Sequence, residues 1–304
     1  MIAPSSPGTS IAVVKIGGSV LTGPLGYRHA ARFIARRVAD EPGVRLLVVV
    51  SAERGETDRL LDTARATCAS PDPAMRDLLW STGELRSVAL VTLSLQALGV
   101  DATGVNVHQT GLLDTSRATA TPRPVVRPLR LLERLATHDV VVAPGFLARG
   151  DGDAIVALGR GGSDLTAVLL AVGLAASCCE LVKDVPGYFA SDPNRDRNAR
   201  HLATIGYATA IEKAASGCEL VQKSALESAA RHGMPIVVRA LTGELKTIIA
   251  DDPTRNDQKG SDDGVCNAHH SFGTAVGARH RLARRADFSD LDLRAGGARR
   301  PPRI

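Results

Sequence analysis

Short apolar runs alternate with segments of helical spacing along the first half of the chain. Residues 11–16 and 46–50 are mostly apolar and rich in β-branched side chains, which is typical of buried strands. Residues 29–40, between them, carry apolar side chains at helical spacing. Because apolar strands belong to sheets covered on both sides, this order of elements predicts a parallel sheet between two helical layers.

The same two patterns continue to about residue 250. Further strands are predicted for residues 140–143, 180–182, 236–239 and 245–249, and further helices for residues 58–69, 72–98, 129–136, 165–175, 207–215 and 220–232. Within residues 72–98, Ser81-Thr82-Gly83 predicts a break, and residues 101–126 predict a small lobe of short strands. We expect an α/β fold, a three-layer αβα sandwich with a mainly parallel central sheet, over residues 1–250.

The excess positive charge lies at the end of the chain. The 304 residues carry a formal net charge of +5, and residues 271–304 hold eight arginines against three aspartates, which accounts for all of it. A basic segment with so few aromatic side chains is more typical of a solvated end than of a nucleic-acid-binding arm. Residues 251–304 are therefore expected to form a poorly ordered arginine-rich tail, and no nucleic-acid partner is expected.

Cysteine usage and hydropathy predict a cytoplasmic protein without membrane contact. Five cysteines without CxxC spacing favour a reducing compartment over a zinc site or a disulfide framework. The first ten residues lack the basic and apolar parts of a signal peptide. The longest charge-free run, residues 165–179, is shorter than the roughly 18 residues that a membrane-spanning helix needs.

A glycine-rich turn at residues 158–164 precedes one of the predicted helices. Its sequence, Leu-Gly-Arg-Gly-Gly-Ser-Asp, brings backbone N–H groups, a helix N-terminus and the Arg160 guanidinium to one place. All three attract anions, and a guanidinium forms two parallel hydrogen bonds with a carboxylate. The turn therefore predicts a carboxylate-binding site, with Arg160 as its main ligand.

A second glycine loop, Lys15-Ile16-Gly17-Gly18-Ser19, ends the first strand. Lysine is rare in this chain, with six lysines against 31 arginines, so a lysine beside two glycines is notable. Glycine N–H groups cradle phosphates, and an ammonium group neutralises their charge. The loop lacks the GxxxxGK[ST] spacing of a P-loop, so a plain turn with a surface lysine is the alternative.

The polar residues that follow the strands are expected to meet, because ligands collect at the carboxyl ends of parallel strands. Those expected to face one crevice are Lys15, Ser51, Thr57, Glu84, Arg160 and Asp164. Glu84 suits an amine, and Asp164 and Asp184 suit Mg²⁺ on nucleotide phosphates. The set predicts phosphoryl transfer to the carboxylate of an amino acid, which needs no general base because a carboxylate is already ionised at neutral pH.

Taken in order, these motifs resemble the amino-acid kinase superfamily and, within it, the catalytic domain of aspartokinases, over residues 11–239. The matching segments are Lys15-Ile16-Gly17-Gly18-Ser19, Ser51, Glu56-Thr57-Asp58, Ser81-Thr82-Gly83-Glu84, Ser87, Pro144-Gly145-Phe146 and Gly159 to Asp164. The resemblance implies transfer of the γ-phosphate of Mg-ATP to the β-carboxylate of L-aspartate, which gives 4-phospho-L-aspartate. It also allows a homo-oligomer. The regulatory ACT domains of the family, and feedback through them, are not expected after Arg239.

The resemblance also assigns site residues. Lys15 and Asp164 are implied to be catalytic. The aspartate pocket is implied to contain Ser51, Thr57, Glu84, Phe146, Arg160, Gly161 and Ser163. The nucleotide is implied to contact Gly17, Gly18, Ser19, Lys183, Asp184, Phe189, Asp192 and Lys223.

On the nucleotide side the chain departs from the family pattern. Family members usually have threonine at Lys183, tyrosine at Phe189, arginine at Asn194 and a phosphate-facing lysine at Glu219. Lys183 or Lys223 is the expected source of the missing positive charge. Two alternatives to aspartate phosphorylation stay open at this point. One is a related kinase for another small carboxylic acid, and the other is a non-catalytic amino-acid-binding homologue.

Overall fold

The computed structural model describes residues 10–114, 124–159, 161–193 and 195–251. The chain divides into two units, Met1–Cys266 and Asn267–Ile304, and all the described residues belong to the first. The predicted tail lies outside the described residues, apart from Asp251. Its proposed disorder therefore stays a prediction, as does the domain boundary at residue 250.

The described residues form twelve strands and seven α-helices. The strands are β1 (Ser10–Ile16), β2 (Val44–Val50), β3 (Ala102–Gly104), β4 (Leu112–Leu113), β5 (Val125–Val126), β6 (Val140–Pro144), β7 (Leu147–Arg149), β8 (Ile155–Ala157), β9 (Cys179–Lys183), β10 (Thr204–Gly206), β11 (Ile236–Ala240) and β12 (Lys246–Ala250). The helices are α1 (Gly23–Asp40), α2 (Glu56–Thr67), α3 (Pro73–Gln96), α4 (Leu129–Leu135), α5 (Gly162–Gly173), α6 (Tyr207–Ala215) and α7 (Lys223–His232).

Eight of the described strands form the main sheet, in the order β10-β12-β11-β9-β1-β2-β6-β3. The six strands from β11 to β3 are parallel, whereas β12 is antiparallel to β11 and β10 is parallel to β12. The prediction of a mainly parallel central sheet is confirmed.

Alternate side chains of the central strands are buried in two separate cores. Val13 of β1 packs in the core that contains α4, α5, α6 and α7, and its neighbour Val14 packs in the core that contains α1 and α3. Full burial of a valine side chain is worth about 1.5–3 kcal/mol, and the five residues from Leu46 to Val50 are all buried. The β-branched runs therefore sit between two helical layers, which confirms the three-layer sandwich.

The other four described strands are short and form a second sheet, the small lobe, in the order β5-β4-β7-β8. The prediction for residues 101–126 covers β4 and β5 but not their partners β7 and β8. The antiparallel β7–β8 pair is three residues long on each side, too short to show a clear alternation of apolar and polar side chains. This pair leads directly into the glycine-rich turn.

The predicted break in the third helix is wrong, since α3 is continuous through Ser81, Thr82 and Gly83. The hydroxyl of Ser81 donates to the carbonyl of Leu78, and that of Thr82 donates to the carbonyl of Leu79, so both are satisfied within the helix. A β-carbon at Gly83 would lie 3.1 Å from the Ala52 side chain. The glycine is therefore explained by the close approach of α3 to the loop after β2.

The parallel register brings the ends of the central strands to one edge of the sheet. Ile16 at the end of β1 is level with Val50 at the end of β2 and with Val182 near the end of β9, and Val50 is level with Pro144 of β6. The loops that follow these four strands therefore converge. Among the described residues, no helix combines the length and the apolar character that crossing a membrane requires.

Candidate active site

A buried carboxylate and two lysines form the centre of this edge. Asp164, in the first turn of α5, is 2.8 Å from Lys15 Nζ through Oδ1 and 2.7 Å from Lys183 Nζ through Oδ2. Asp164 Oδ2 also accepts a longer bond, of 3.4 Å, from the backbone N–H of Gln222 before α7. The group unites two strand ends and two helix starts, and we call Lys15, Asp164 and Lys183 the lysine–aspartate cluster.

The electrostatics of the cluster favour an incoming anion. Burial alone would raise the pKa of Asp164, but the charges of Lys15 and Lys183 hold it well below its usual range. Burial and the nearby charge of Lys15 lower the pKa of Lys183 to about 8. With both lysines protonated the cluster carries one net positive charge in a buried setting, where an anion is attracted more strongly than in water.

Two glycines allow the loops around the cluster to touch. A β-carbon at Gly18 would lie 2.2 Å from the carbonyl oxygen of Ala52, and one at Gly145 would lie 2.7 Å from Cβ of Ser163. The backbone N–H of Gly17 also donates to Val182 O at 3.0 Å. The glycine loop after β1 therefore contacts the loop after β2 and the end of β9.

Replacing Gly18 with alanine is expected to lower the free energy of unfolding by about 1–3 kcal/mol, because the new methyl group meets a backbone oxygen that has little room to move. Urea unfolding of the variant and the parent measures the difference. Ser19→Ala, whose side chain is half-exposed, is the control and is expected to stay within about 0.5 kcal/mol. Equal stability of Gly18→Ala and the parent would contradict the close packing of these loops.

Glu84 is buried on α3, only 3% exposed, and contacts the loop after β2 at the same edge of the sheet. Its Oε1 accepts from the backbone N–H of Ala52 at 3.3 Å, and its Oε2 is a buried atom without a hydrogen-bond partner in the described structure. Burial raises the pKa of Glu84 to about 7. A buried carboxylate oxygen without a partner is costly, so the position is suited to receiving a donor such as an ammonium group.

An aromatic pair borders the same region. The rings of Trp80 and Phe146 meet edge to face with centroids 5.7 Å apart. Phe146 follows β6 in a left-handed conformation, with φ of 65°, which is uncommon for a side chain of this size. Thr57, in the first turn of α2, is tied to this pair because its carbonyl accepts from the Trp80 indole N–H at 3.2 Å.

Backbone contacts connect several of the loops that carry the acceptor-side residues predicted from the sequence. The backbone N–H of Ser51 bonds to Ile16 O, Gly145 N bonds to Val50 O, and Ser163 is buried against Gly145. Gly161 lies in a left-handed conformation directly before α5. Arg160, expected to be the main carboxylate ligand, lies outside the described residues, and its role stays a prediction.

The nucleotide-side residues are less closely associated. Lys183 belongs to the lysine–aspartate cluster, whereas the side chain of Lys223 is 56% exposed and is 3.5 Å from Glu227 one turn along α7. Phe189 packs edge to face against His201, and Asp192 is exposed with Arg195 at 3.5 Å. The nucleotide contacts of Lys223, Phe189 and Asp192 remain predictions, and Asn194 lies outside the described residues.

The two carboxylates that were candidates for Mg²⁺ differ in their availability. Both oxygens of Asp164 are within 3.0 Å of lysine ammonium groups, so Asp164 does not fit a metal ligand. Asp184 is 53% exposed and pairs with Arg54 at 2.6 Å. Within the described part of the chain, no group of three or more His, Cys, Asp or Glu side chains is placed to hold a metal.

Sequence reasoning did not identify three residues at this edge: Arg54, Trp80 and Gln222. Trp80 could have been found, since it precedes Glu84 by one helical turn and residues four apart lie on the same face of a helix. Arg54 and Gln222 could not, because their contacts with Asp184 and Asp164 join segments that are more than 50 residues apart.

The family of the chain follows from comparison with known proteins. The model of the amino acid kinase family matches residues 10–240. These residues contain every strand of the main sheet except β12, and they contain the whole lysine–aspartate cluster. The chain belongs to the amino acid kinase family.

Within that family, the chain is similar to aspartokinases. It is 35% identical to the aspartokinase of Mycobacterium tuberculosis over 255 residues, which are 80% of this chain and 60% of that protein. The Synechocystis aspartate kinase structure has a TM-score of 0.71 and 35% identity, covering 81% of this chain and 40% of that one. The structure of E. coli aspartokinase III in complex with aspartate and ADP has a TM-score of 0.67 and 26% identity. The match covers 80% of this chain and 66% of that one. The chain thus spans about 60% of the length of the first curated relatives.

Proposed function

We propose that this chain is an aspartate kinase, which transfers the γ-phosphate of Mg-ATP to the β-carboxylate of L-aspartate and forms 4-phospho-L-aspartate. The observation that carries the proposal is that two features lie at one edge of the sheet: the net positive, buried cluster of Lys15, Asp164 and Lys183, and the buried Oε2 of Glu84, which has no partner among the described residues. A phosphoryl-transfer site and an amine site thus lie at the same edge of the sheet. The similarity to aspartokinases supports the choice of aspartate.

The acceptor is held by charge complementarity. The amino group of aspartate pairs with Glu84, whose Oε2 has no other partner in the described structure. The α-carboxylate is assigned to Arg160 at the glycine-rich turn, where the start of α5 adds backbone N–H groups. Ser51, Thr57, Phe146, Gly161 and Ser163 line the remainder of the pocket in this proposal. The β-carboxylate then points toward the lysine–aspartate cluster.

Catalysis in this site is positioning and charge neutralisation. An oxygen of the β-carboxylate attacks the γ-phosphorus, the bond from that phosphorus to the β,γ-bridging oxygen breaks, and ADP leaves. Lys15 and Lys183 stabilise the negative charge on the transferred phosphoryl group, and Asp164 keeps both ammonium groups in place. The β-carboxylate is already ionised at neutral pH, so no general base is needed to remove a proton from the nucleophile.

The nucleotide is assigned to the loop Gly17-Gly18-Ser19 and to the end of β9. Mg²⁺ is expected to reach the site on the phosphates of ATP, because it prefers oxygen ligands and keeps several waters. Asp184 is the carboxylate in this region that fits such a contact, since Asp164 is fully engaged by lysines.

The test is to incubate the protein with Mg-ATP, hydroxylamine and, separately, L-aspartate, D-aspartate, L-glutamate and succinate. An acyl phosphate is trapped as a coloured hydroxamate, and we expect product with L-aspartate at a rate well above that of the other acids. Hydroxamate with another acid and none with L-aspartate would show that the acceptor is that acid and not L-aspartate. No product with any acid, together with calorimetric binding of L-aspartate, would favour the non-catalytic binding protein.

We further propose a cytoplasmic location and a homo-oligomeric state. Among the described residues, Cys68, Cys179 and Cys218 are free thiols, as is usual in a reducing compartment. Light scattering of the purified chain measures the oligomeric state directly.

A further inference from the structure

Trp80 is the only tryptophan in the chain, and it makes three contacts at the acceptor side of the site. Its ring meets the ring of Phe146 edge to face, its indole N–H donates to the carbonyl of Thr57, and the guanidinium of Arg76 lies 4.7 Å from the ring centre. The side chain is half-buried, so part of it stays accessible. One side chain thus connects α3 to the start of α2 and to the turn after β6.

The contact with Phe146 reaches the glycine-rich turn. A β-carbon at Gly162 would lie 3.0 Å from the Phe146 ring, so the phenylalanine packs closely against the first residue of α5. Phe146 also adopts the left-handed backbone conformation, which costs roughly 1–2 kcal/mol for a residue other than glycine. Such a conformation persists only where the surroundings hold it, and the Trp80 ring is one of those surroundings.

A second link from the same turn of α3 reaches the strand before the glycine-rich turn. Asp77 is buried, and its Oδ2 accepts from the backbone N–H of Ala157 at 3.1 Å, while its Oδ1 pairs with Arg76 at 2.9 Å. Arg76 in turn lies over the Trp80 ring. Residues 76–80 therefore join the start of α2, the Phe146 turn and the end of β8 into one packed unit.

We infer that Trp80 is a positioning residue for the acceptor pocket. Trp80 lies one helical turn before Glu84 on α3. It keeps Thr57, Phe146 and the glycine-rich turn at the separation that the acceptor requires. This inference rests on the proposed function for the identity of the acceptor, but not for the location of the pocket. Because Trp80 acts through Phe146 and Thr57, its loss should weaken acceptor binding and leave nucleotide binding unchanged.

The first experiment uses the natural fluorescence of the purified chain. Since Trp80 is the sole tryptophan, the indole emission reports this position alone. Titration with L-aspartate in the absence of nucleotide is expected to change the intensity or the emission maximum in a saturable way. D-Aspartate and succinate serve as control acids. Emission that stays constant while calorimetry shows L-aspartate binding would overturn the inference.

The second experiment compares Trp80→Leu and Trp80→Phe. Leucine removes both the ring contact and the indole N–H bond, and we expect the KM for the acceptor to rise about tenfold with the KM for ATP unchanged. Phenylalanine keeps a ring against Phe146 and is expected to restore part of the loss. Leu93→Ala, an exposed change farther along α3, is the control. An acceptor KM that is the same in all variants, or equal rises in both KM values, would overturn the positioning role.

The outcomes separate this inference from the proposed function. If L-aspartate gives hydroxamate but both Trp80 variants keep the parental acceptor KM, aspartate kinase activity stands and the inference fails. If no acid gives hydroxamate, acceptor affinity is measured by calorimetry. Weaker binding of L-aspartate to Trp80→Leu than to Trp80→Phe then supports the inference while the proposed kinase activity fails.

Discussion

Replacing Lys183 with methionine is expected to lower kcat by about 10²–10³-fold, which is the usual loss when one preorganised charge-stabilising donor is removed. Methionine keeps most of the apolar stem but not the ammonium group that lies 2.7 Å from Asp164 Oδ2. Asp164 retains Lys15 as a partner, so its negative charge is not left unpaired. Steady-state kinetics with L-aspartate and Mg-ATP measure the effect.

The matching change at Lys223 distinguishes the two proposed sources of positive charge. Lys223 is 56% exposed and pairs with Glu227, so Lys223→Met is expected to lower kcat less than threefold. Lys213→Met on α6 controls for the loss of any lysine. A large loss of kcat with Lys223→Met and none with Lys183→Met would show that Lys223, at the start of α7, supplies the phosphate-stabilising charge.

The pH profile gives an independent check on Lys183. Burial and the charge of Lys15 lower its pKa to about 8, so the ammonium form is lost as the pH rises through that value. The value of kcat/KM reports groups in the free enzyme, and it is therefore expected to fall above about pH 8 in the parent. The fall of kcat/KM above about pH 8 should be absent from the pH profile of Lys183→Met.

The strand periodicity explains why Lys183 is placed where it is. Side chains two apart on a strand share a face, so Lys15 follows Val13 and Lys183 follows Leu181 onto the side that α5 covers. The face was predictable from the apolar pattern. The pairing of β1 with β9, which brings both lysines within contact distance of Asp164, was not, because it joins segments more than 160 residues apart.

Other features were predictable only in part. The runs of valine and leucine in β1 and β2 were sufficient for the parallel sheet, because only a doubly covered strand is apolar on both sides. The continuity of α3 does not follow from helix propensity, which disfavours Ser81 and Gly83 inside a helix. Tertiary packing against Ala52 decides the conformation there. The left-handed Phe146 has no signal in the sequence, because the conformation is rare for aromatic residues.

Replacing Glu84 with glutamine is expected to lower kcat/KM for L-aspartate by about 10²-fold and to change the KM for ATP less than twofold. Removing one partner of a desolvated charge pair usually costs about 2–5 kcal/mol, and the lower bound alone is a loss of about 30-fold. Glutamine keeps the shape of the side chain and an oxygen for Ala52 N–H, so the loop after β2 should stay in place. Asp62→Asn, an exposed change on α2, is the control.

The sign of the pH dependence follows from the raised pKa of Glu84, about 7 against an ordinary value of 4.5. The carboxylate that pairs with the ammonium group forms as the pH rises through 7, so kcat/KM of the parent should rise across this range and that limb should be absent in Glu84→Gln.

Between pH 4.5 and 7 the folded state binds more protons at Glu84 than the unfolded state, so the parent loses stability as the pH rises through that window. Glu84→Gln lacks this titration, and urea unfolding at pH 5 and pH 8 should show its stability increasing relative to the parent. A parallel pH dependence of stability in the two proteins would mean that Glu84 is not buried as a neutral acid, and the amine-binding role would then lack its physical basis.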